Sequence, residues 1–255
     1  MNLEKLRNAS LHELRVRAAQ RLAAFSERRG WSPLVKLPAD EAFASLLTLE
    51  RTTADRLLEH FRSRSHPSFF AAFQSPETTA GTFQSRWANS AQHLVDKANR
   101  ICEGKFDLLG HRDLSFGDPL NGHIDWQFEP LTGKRIPLLH WSKLDYLNAE
   151  VAGDKKIIWE LNRHQYFVTL GQAYWLTGDE KYARIFVTHL KAWMSANPPK
   201  LGINWASSLE VGFRALTWTW LRALTRDSDL WTPSRDAAFA EQLWHHGRHI
   251  ACYDS

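Results

Sequence analysis

The chain has 255 residues, 44% hydrophobic and 24% charged, which is a globular composition with room for one large domain or two small ones. A formal charge of +4, with no run of five like charges, argues against nucleic acid as the partner and leaves an anionic polysaccharide acceptable. Two cysteines, Cys102 and Cys252, are too few for a disulfide framework, and no run of about 18 apolar residues exists to span a membrane. The N-terminus lacks the apolar segment of a secretory signal, so a cytoplasmic location is favoured. Twelve Trp and 14 Phe suit a thick helical core, and equally a groove that stacks on sugar rings.

The first expected helix covers residues 10–29. Ser10 and Glu13 form a capping box, and Leu11, Leu14, Ala18, Leu22 and Phe25 follow at helical spacing. Residues 31–39, with Pro33 and Pro38, read as a connector, and Asp40 to Phe61 as helix in two pieces. His66 to Phe83, rich in Ser, Thr, Pro and Phe, reads as a loop, and Arg86 to Ile101 as a helix. Gly104 to Pro137 is too rich in Gly and Pro for a helix. Short strands and turns are expected there, with Phe106 to Gly110 as one strand and Asp125 and Trp126 on a loop. Helices follow over His140–Tyr146, Lys155–Leu176, Glu180–Met194, Trp205–Leu224 and Pro233–Ile250. Gly178 and Asp179 supply a helix stop and the next helix start, and Pro233 supplies a first-turn proline.

Residues 156–214 organise the chain, because one arrangement occurs there twice. Trp159, Glu160, Asn162, Arg163, His164 and Gln165 precede one apolar helix, and Asn204, Trp205, Ser207, Ser208 and Glu210 open another. Trp159 and Trp205 stand 46 residues apart, a plausible length for a helix out, a helix back and two turns. Glu160 with Arg163, and Glu210 with Arg214, read individually as structural ion pairs. Two such clusters at matching places in successive hairpins are expected to converge. A pocket of Arg, His, Glu, Asn and Trp suits an acidic sugar, with Arg for a carboxylate and Trp for a ring face. His245 and His249 have i,i+4 spacing but neither an intervening Glu nor an evident third ligand, so no metal and no cofactor are expected.

These residues carry a resemblance. Trp159 to Gln165, Thr177 to Ala183, Asn197-Pro198 and Asn204 to Arg214, with Phe106 to Gly110 and Ile124 to Trp126 upstream, closely resemble the N-terminal helical domain of heparinase II/III-type proteins. The resemblance implies an all-α fold, an incomplete (α/α) toroid of antiparallel helical hairpins, followed in longer members by a β-sandwich. It implies polysaccharide lyase chemistry on uronic-acid glycans, in which the carboxylate is neutralised, a base removes the C5 proton and an acid protonates the leaving oxygen. The expected organisation is a helical segment at 1–100 packed on toroid hairpins at 101–255. The family's catalytic Asn-His and Tyr are expected beyond residue 255, so the chain reads as a fragment without the rest of the toroid or the sandwich, and inactive alone. The expected substrate-binding residues are Asp125, Trp126, Arg163, His164, Trp205, Glu210 and Arg214, and the expected partner is an acidic polysaccharide. The other reading is a non-catalytic glycan-binding or scaffolding module in surface-polysaccharide assembly.

Overall fold

The structure, a computed structural model, describes residues 10–32, 53–63, 71–118 and 123–253. Its helices are α1 Leu11–Arg28, α2 Ala54–Ser63, α3 Pro76–Arg86, α4 Ala88–Cys102, α5 Ala149–Ala152, α6 Lys155–Asn162, α7 Gln165–Thr177, α8 Glu180–Ala196, α9 Ser208–Leu224 and α10 Pro233–Tyr253. Between α4 and α5 lie three separate antiparallel pairs. They are β1 Phe106–Leu108 with β2 His111–Leu114, β3 Gly117–Asp118 with β4 His123–Ile124, and β5 Phe128–Glu129 with β6 Lys134–Arg135. Among the described residues no sheet exceeds two strands. The molecule is mostly helical, with the irregular segment where glycine and proline placed it.

Helix α7 is central, packing on α3, α4, α8 and α9, while α9 also packs on α10 and α10 on α2. Phe167, Leu170 and Ala173 of α7 are fully buried, together with Phe186, Trp193, Trp205 and Trp218 from the surrounding elements. Each such aromatic removes on the order of 150–250 Å² from water. Gly171 sets the approach of α9. A Cβ there would lie 2.9 Å from both Cβ and Cδ1 of Leu224, so only glycine fits without movement. The α7–α8 turn follows its sequence chemistry. Gly178 adopts φ 68° and its N–H reaches Tyr174 O at 2.8 Å, while the Asp179 side chain accepts from Lys181 N at 2.9 Å.

Three expectations change. Residues 76–86 form α3 instead of a loop, because Ser75 stands at the N-cap position, Pro76 occupies the first turn and Glu77 follows. The helix expected over 155–176 breaks at His164, which takes a left-handed φ of 58°. Helix α1 forms with Ser10 capping Glu13 N at 3.1 Å, but it packs through Ala24 and Glu27, leaving Leu11, Leu22 and Phe25 exposed. The buried carboxylate of Glu27 fixes its orientation in place of the apolar stripe. The connector at 33–39 and the part of the expected helix from 40 to 52 lie outside the described residues, and α2 covers its end.

Candidate functional site

The break at His164 arises from side chains that replace the helical ladder. Asn162 Nδ2 donates to Ile158 O (2.8 Å) and Trp126 O (3.0 Å), and its Oδ1 accepts from Trp193 Nε1 (2.7 Å). The His164 ring turns inward and stacks against Phe167 and Trp218, with centroids 4.5 and 5.9 Å away. Trp218 Nε1 donates to His164 Nδ1 at 2.8 Å, so the proton of the neutral imidazole sits on Nε2. Burial, and then the positive charge of Arg214, holds the His164 pKa well below its ordinary value.

With His164 turned in, Arg163 turns out, and it joins the two hairpins. Its Nε and Nη2 donate to both oxygens of Glu210 at 2.6 and 2.8 Å, and Nη1 donates to Glu160 at 2.7 Å. The hydrogen bond to Glu210 is the main reason its pKa is raised. The guanidinium also lies over the Phe213 ring, 4.9 Å from its centroid. The expected pairing of Glu210 with Arg214 on its own helix is therefore corrected, because Glu210 turns across to α6. Arg214 lies on the buried face of α9. Its Nε donates to His246 Nε2 (2.8 Å) and its Nη2 to Asn204 O (2.9 Å), between the rings of Trp193 and Trp205. Burial lowers its pKa to about 9, so it remains a cation at neutral pH.

A second buried polar cluster ties α1 to the core, and sequence reasoning missed it. Glu27 Oε1 lies 3.1 Å from Lys200 Nζ, with both side chains fully buried. Its Oε2 lies 3.4 Å from both His140 Nε2 and Trp141 Nε1. Burial alone would raise the Glu27 pKa, but its contacts with His140, Lys200 and Trp141 bring it down to about 2. Lys200 Nζ also contacts His249 Nδ1 at 2.8 Å, and its backbone takes a left-handed φ of 70°. No spacing rule links Glu27 to Lys200. The one legible hint was the polar i,i+4 pair of His245 and His249 on α10, whose spacing gives no partner as distant as Lys200 or Glu27.

Over this cluster opens a cleft of about 590 Å³ between α1 and the start of α9. Its walls include Arg17 and Arg21 of α1, Trp141, Ser207, His249 and Tyr253. It combines cationic, aromatic, hydroxyl and imidazole groups. The expected site residues do not line it. Trp126, His164, Trp205, Glu210 and Arg214 are buried: Trp126 packs on His164 and His164 on Trp218 of α9, Arg214 lies over Trp205, and Glu210 is bound by Arg163. The Arg163 side chain is 24% exposed, and that of Asp125 is 26% exposed and paired with Arg135 beside a separate depression. The structure thus brings the two motif copies together through Arg163 and Glu210, and seals Arg214 from solvent.

The model of the heparinase II/III N-terminus matches residues 45–255. The chain belongs to this family. A heparin-sulfate lyase from Bacteroides stercoris is 40% identical over 45 residues, which is 18% of this chain and 7% of that protein. The crystal structure of the heparan sulfate lyase HepC from Pedobacter heparinus matches 84% of this heparinase II/III-type chain and 32% of its own length, with a TM-score of 0.53 and 17% identity. That similarity shows a shared fold, and the chain spans about a third of the length of that lyase. Among the described residues no helix is long and apolar enough to cross a membrane.

Proposed function

We propose that this chain is the helical, glycan-holding part of a polysaccharide lyase that cleaves uronic-acid-containing glycans by β-elimination, and that its hairpins form part of an (α/α) toroid. The observation that carries the reading is the family match across residues 45–255. The two similar proteins are by name lyases of heparin-type sulfates, which supports an acidic polysaccharide as ligand. In this reading the segment up to about residue 100 packs on the hairpins of residues 101–255. The contacts of α2 with α10 and of α4 with α7 support that arrangement.

The cleft between α1 and α9 is assigned to the glycan. Arg17 and Arg21 supply positive charge, Trp141 and Tyr253 supply ring faces, and Ser207 supplies a hydroxyl. The buried residues His164, Trp205 and Arg214, with Trp126 and Glu210, are assigned to holding the first turn of α9 in place. Arg163 and Asp125 are the members of the expected set that keep access to a ligand. A base for β-elimination must come within hydrogen-bond reach of the C5 proton. His164, His189 and His246 are fully buried, so no proton transfer is assigned to them.

The test is a calorimetric titration with heparan sulfate and alginate oligosaccharides against an uncharged oligosaccharide of equal length, together with ultraviolet detection of unsaturated product. The reading predicts binding of the acidic chains, weakened by salt, and no turnover by this chain alone. Equal affinity for the uncharged chain, or no binding at all, would overturn it. Turnover would move the proton-transfer groups into the residues described here.

A further inference from the structure

We propose that His249 and the first turn of α9 form an anion subsite in the cleft, taking one carboxylate or sulfate-ester group of the glycan, with His249 acting as a neutral N–H donor whose tautomer Lys200 fixes. The inference rests on the glycan-binding reading and assigns residues within that cleft.

Lys200 sets the tautomer. An ammonium group has only donors, so the 2.8 Å contact with His249 Nδ1 makes Nδ1 the acceptor. A neutral imidazole with an accepting Nδ1 carries its proton on Nε2. The ring stays neutral because it is buried and faces the Lys200 cation, which together bring its pKa to about 3. His249 is only 1% exposed, yet it is part of the cleft wall, and among the described residues its Nε2 has no hydrogen-bond partner. Its Nε2 is not among the sealed, unpartnered side-chain atoms of the described residues, and the cleft is where a ligand oxygen can reach it.

The second half of the subsite is α9, whose 17 residues begin at the same cleft. Ser207 stands at the N-cap position but its side chain makes no capping hydrogen bond. The first backbone bond of the helix runs from Val211 N to Ser207 O at 3.1 Å, so the N–H groups of Ser208, Leu209 and Glu210 precede the intrahelical ladder. The only carboxylate in the first turn, Glu210, is drawn across to Arg163 and does not cap them. Ser208 Oγ donates to Tyr253 O at 3.1 Å, which holds the end of α10, one turn after His249, against the start of α9. The subsite therefore combines a neutral imidazole donor with the positive end of a helix dipole. It is rich in donors, which suits an anionic oxygen better than a hydroxyl.

The experiment is long-range proton–nitrogen NMR on the histidine-labelled chain, with His249 assigned through its backbone. The probes are an alginate tetrasaccharide carrying only carboxylates, inorganic sulfate, and uncharged maltotetraose. The expected spectrum shows His249 protonated on Nε2 and unprotonated on Nδ1. Its Nε2 signal then shifts saturably with alginate or sulfate, the tighter of the two naming the preferred group, and stays fixed with maltotetraose. Protonation on Nδ1, or a His249 signal unmoved by both anions, overturns the proposal. If acidic oligosaccharides bind calorimetrically while His249 is silent, the subsite is wrong and the broader reading stands. If they do not bind at all, both fall.

Discussion

Replacing Glu27 by Gln keeps the shape of the side chain and removes its charge, which isolates the electrostatic tie between α1 and the core. In the parent, Glu27 Oε1 lies 3.1 Å from Lys200 Nζ with neither side chain exposed, and Oε2 lies 3.4 Å from His140 and Trp141. Removing one partner of a buried ion pair costs about 3–5 kcal/mol, because the other charge stays buried without compensation. The lower end applies here. Lys200 retains His249 Nδ1 at 2.8 Å and the Tyr253 ring at 5.0 Å, and burial already lowers its pKa, so part of the strain is relieved by releasing its proton. A loss of about 3 kcal/mol corresponds to a fall in melting temperature of roughly 6–12 °C for a chain of this size. The assay is thermal and urea unfolding at pH 7 of Glu27→Gln, Lys200→Met and the double variant. The double variant should be more stable than Glu27→Gln alone, since it no longer buries a lone charge. A Glu27→Gln variant within about 0.5 kcal/mol of the parent, a change of the size expected of ordinary surface substitutions, would refute the reasoning. So would a double variant no better than the single one.

Acid should destabilise the fold from about pH 6.5 downward, the ordinary histidine pKa in an unfolded chain. His164, His246 and His249 are held neutral below their ordinary pKa, so the unfolded chain binds more protons there and stability falls with pH. Three imidazoles contribute about 4 kcal/mol per pH unit once well below pH 6.5, and Glu27, with its pKa at about 2, adds to the loss below about 4.3. Melting temperatures that stay flat between pH 7.5 and 5 would contradict this. Arg214→Ala should cost about 3–5 kcal/mol by emptying a fully buried site and leaving His246 and Asn204 without a donor, whereas Arg163→Ala should cost about 1–3 kcal/mol through loss of the Glu210 bridge. Urea titration reads both, and the reverse order would contradict the burial assigned to each. Gly171→Ala should cost about 1–3 kcal/mol by overpacking against Leu224, and a neutral result in the same assay would mean that α7 and α9 have slack between them.

What the sequence discloses depends on how local the cause is. The α7–α8 turn rests on Gly178 and Asp179 alone, and the α10 start on Thr232 and Pro233, so both appear where residue chemistry puts them. The start of α3 was also local, at Ser75-Pro76-Glu77, but the surrounding Ser, Thr and Pro suggested a loop. The break between α6 and α7 was hidden because its causes are distant. Trp126, Trp193 and Trp218 hold Asn162 and His164 in place only after the hairpins have packed. The candidate site divides in the same way. The repeated motif announced that two hairpins converge, and they do so through Arg163 and Glu210. Nothing in their spacing disclosed that Arg214 faces inward. The cleft is walled by α1, by the segment around Trp141 and by α10, which meet only in three dimensions.

The acidic glycan is assigned to the cleft between α1 and the start of α9. Hydrogen–deuterium exchange with and without a heparan sulfate oligosaccharide tests that assignment most directly. Slower exchange is expected at residues 207–210 and in the second half of α1 when the glycan is present, with an uncharged oligosaccharide producing no change. Protection confined to residues 124–127 and 135–138, beside Asp125, or no protection with saturating glycan, would contradict it.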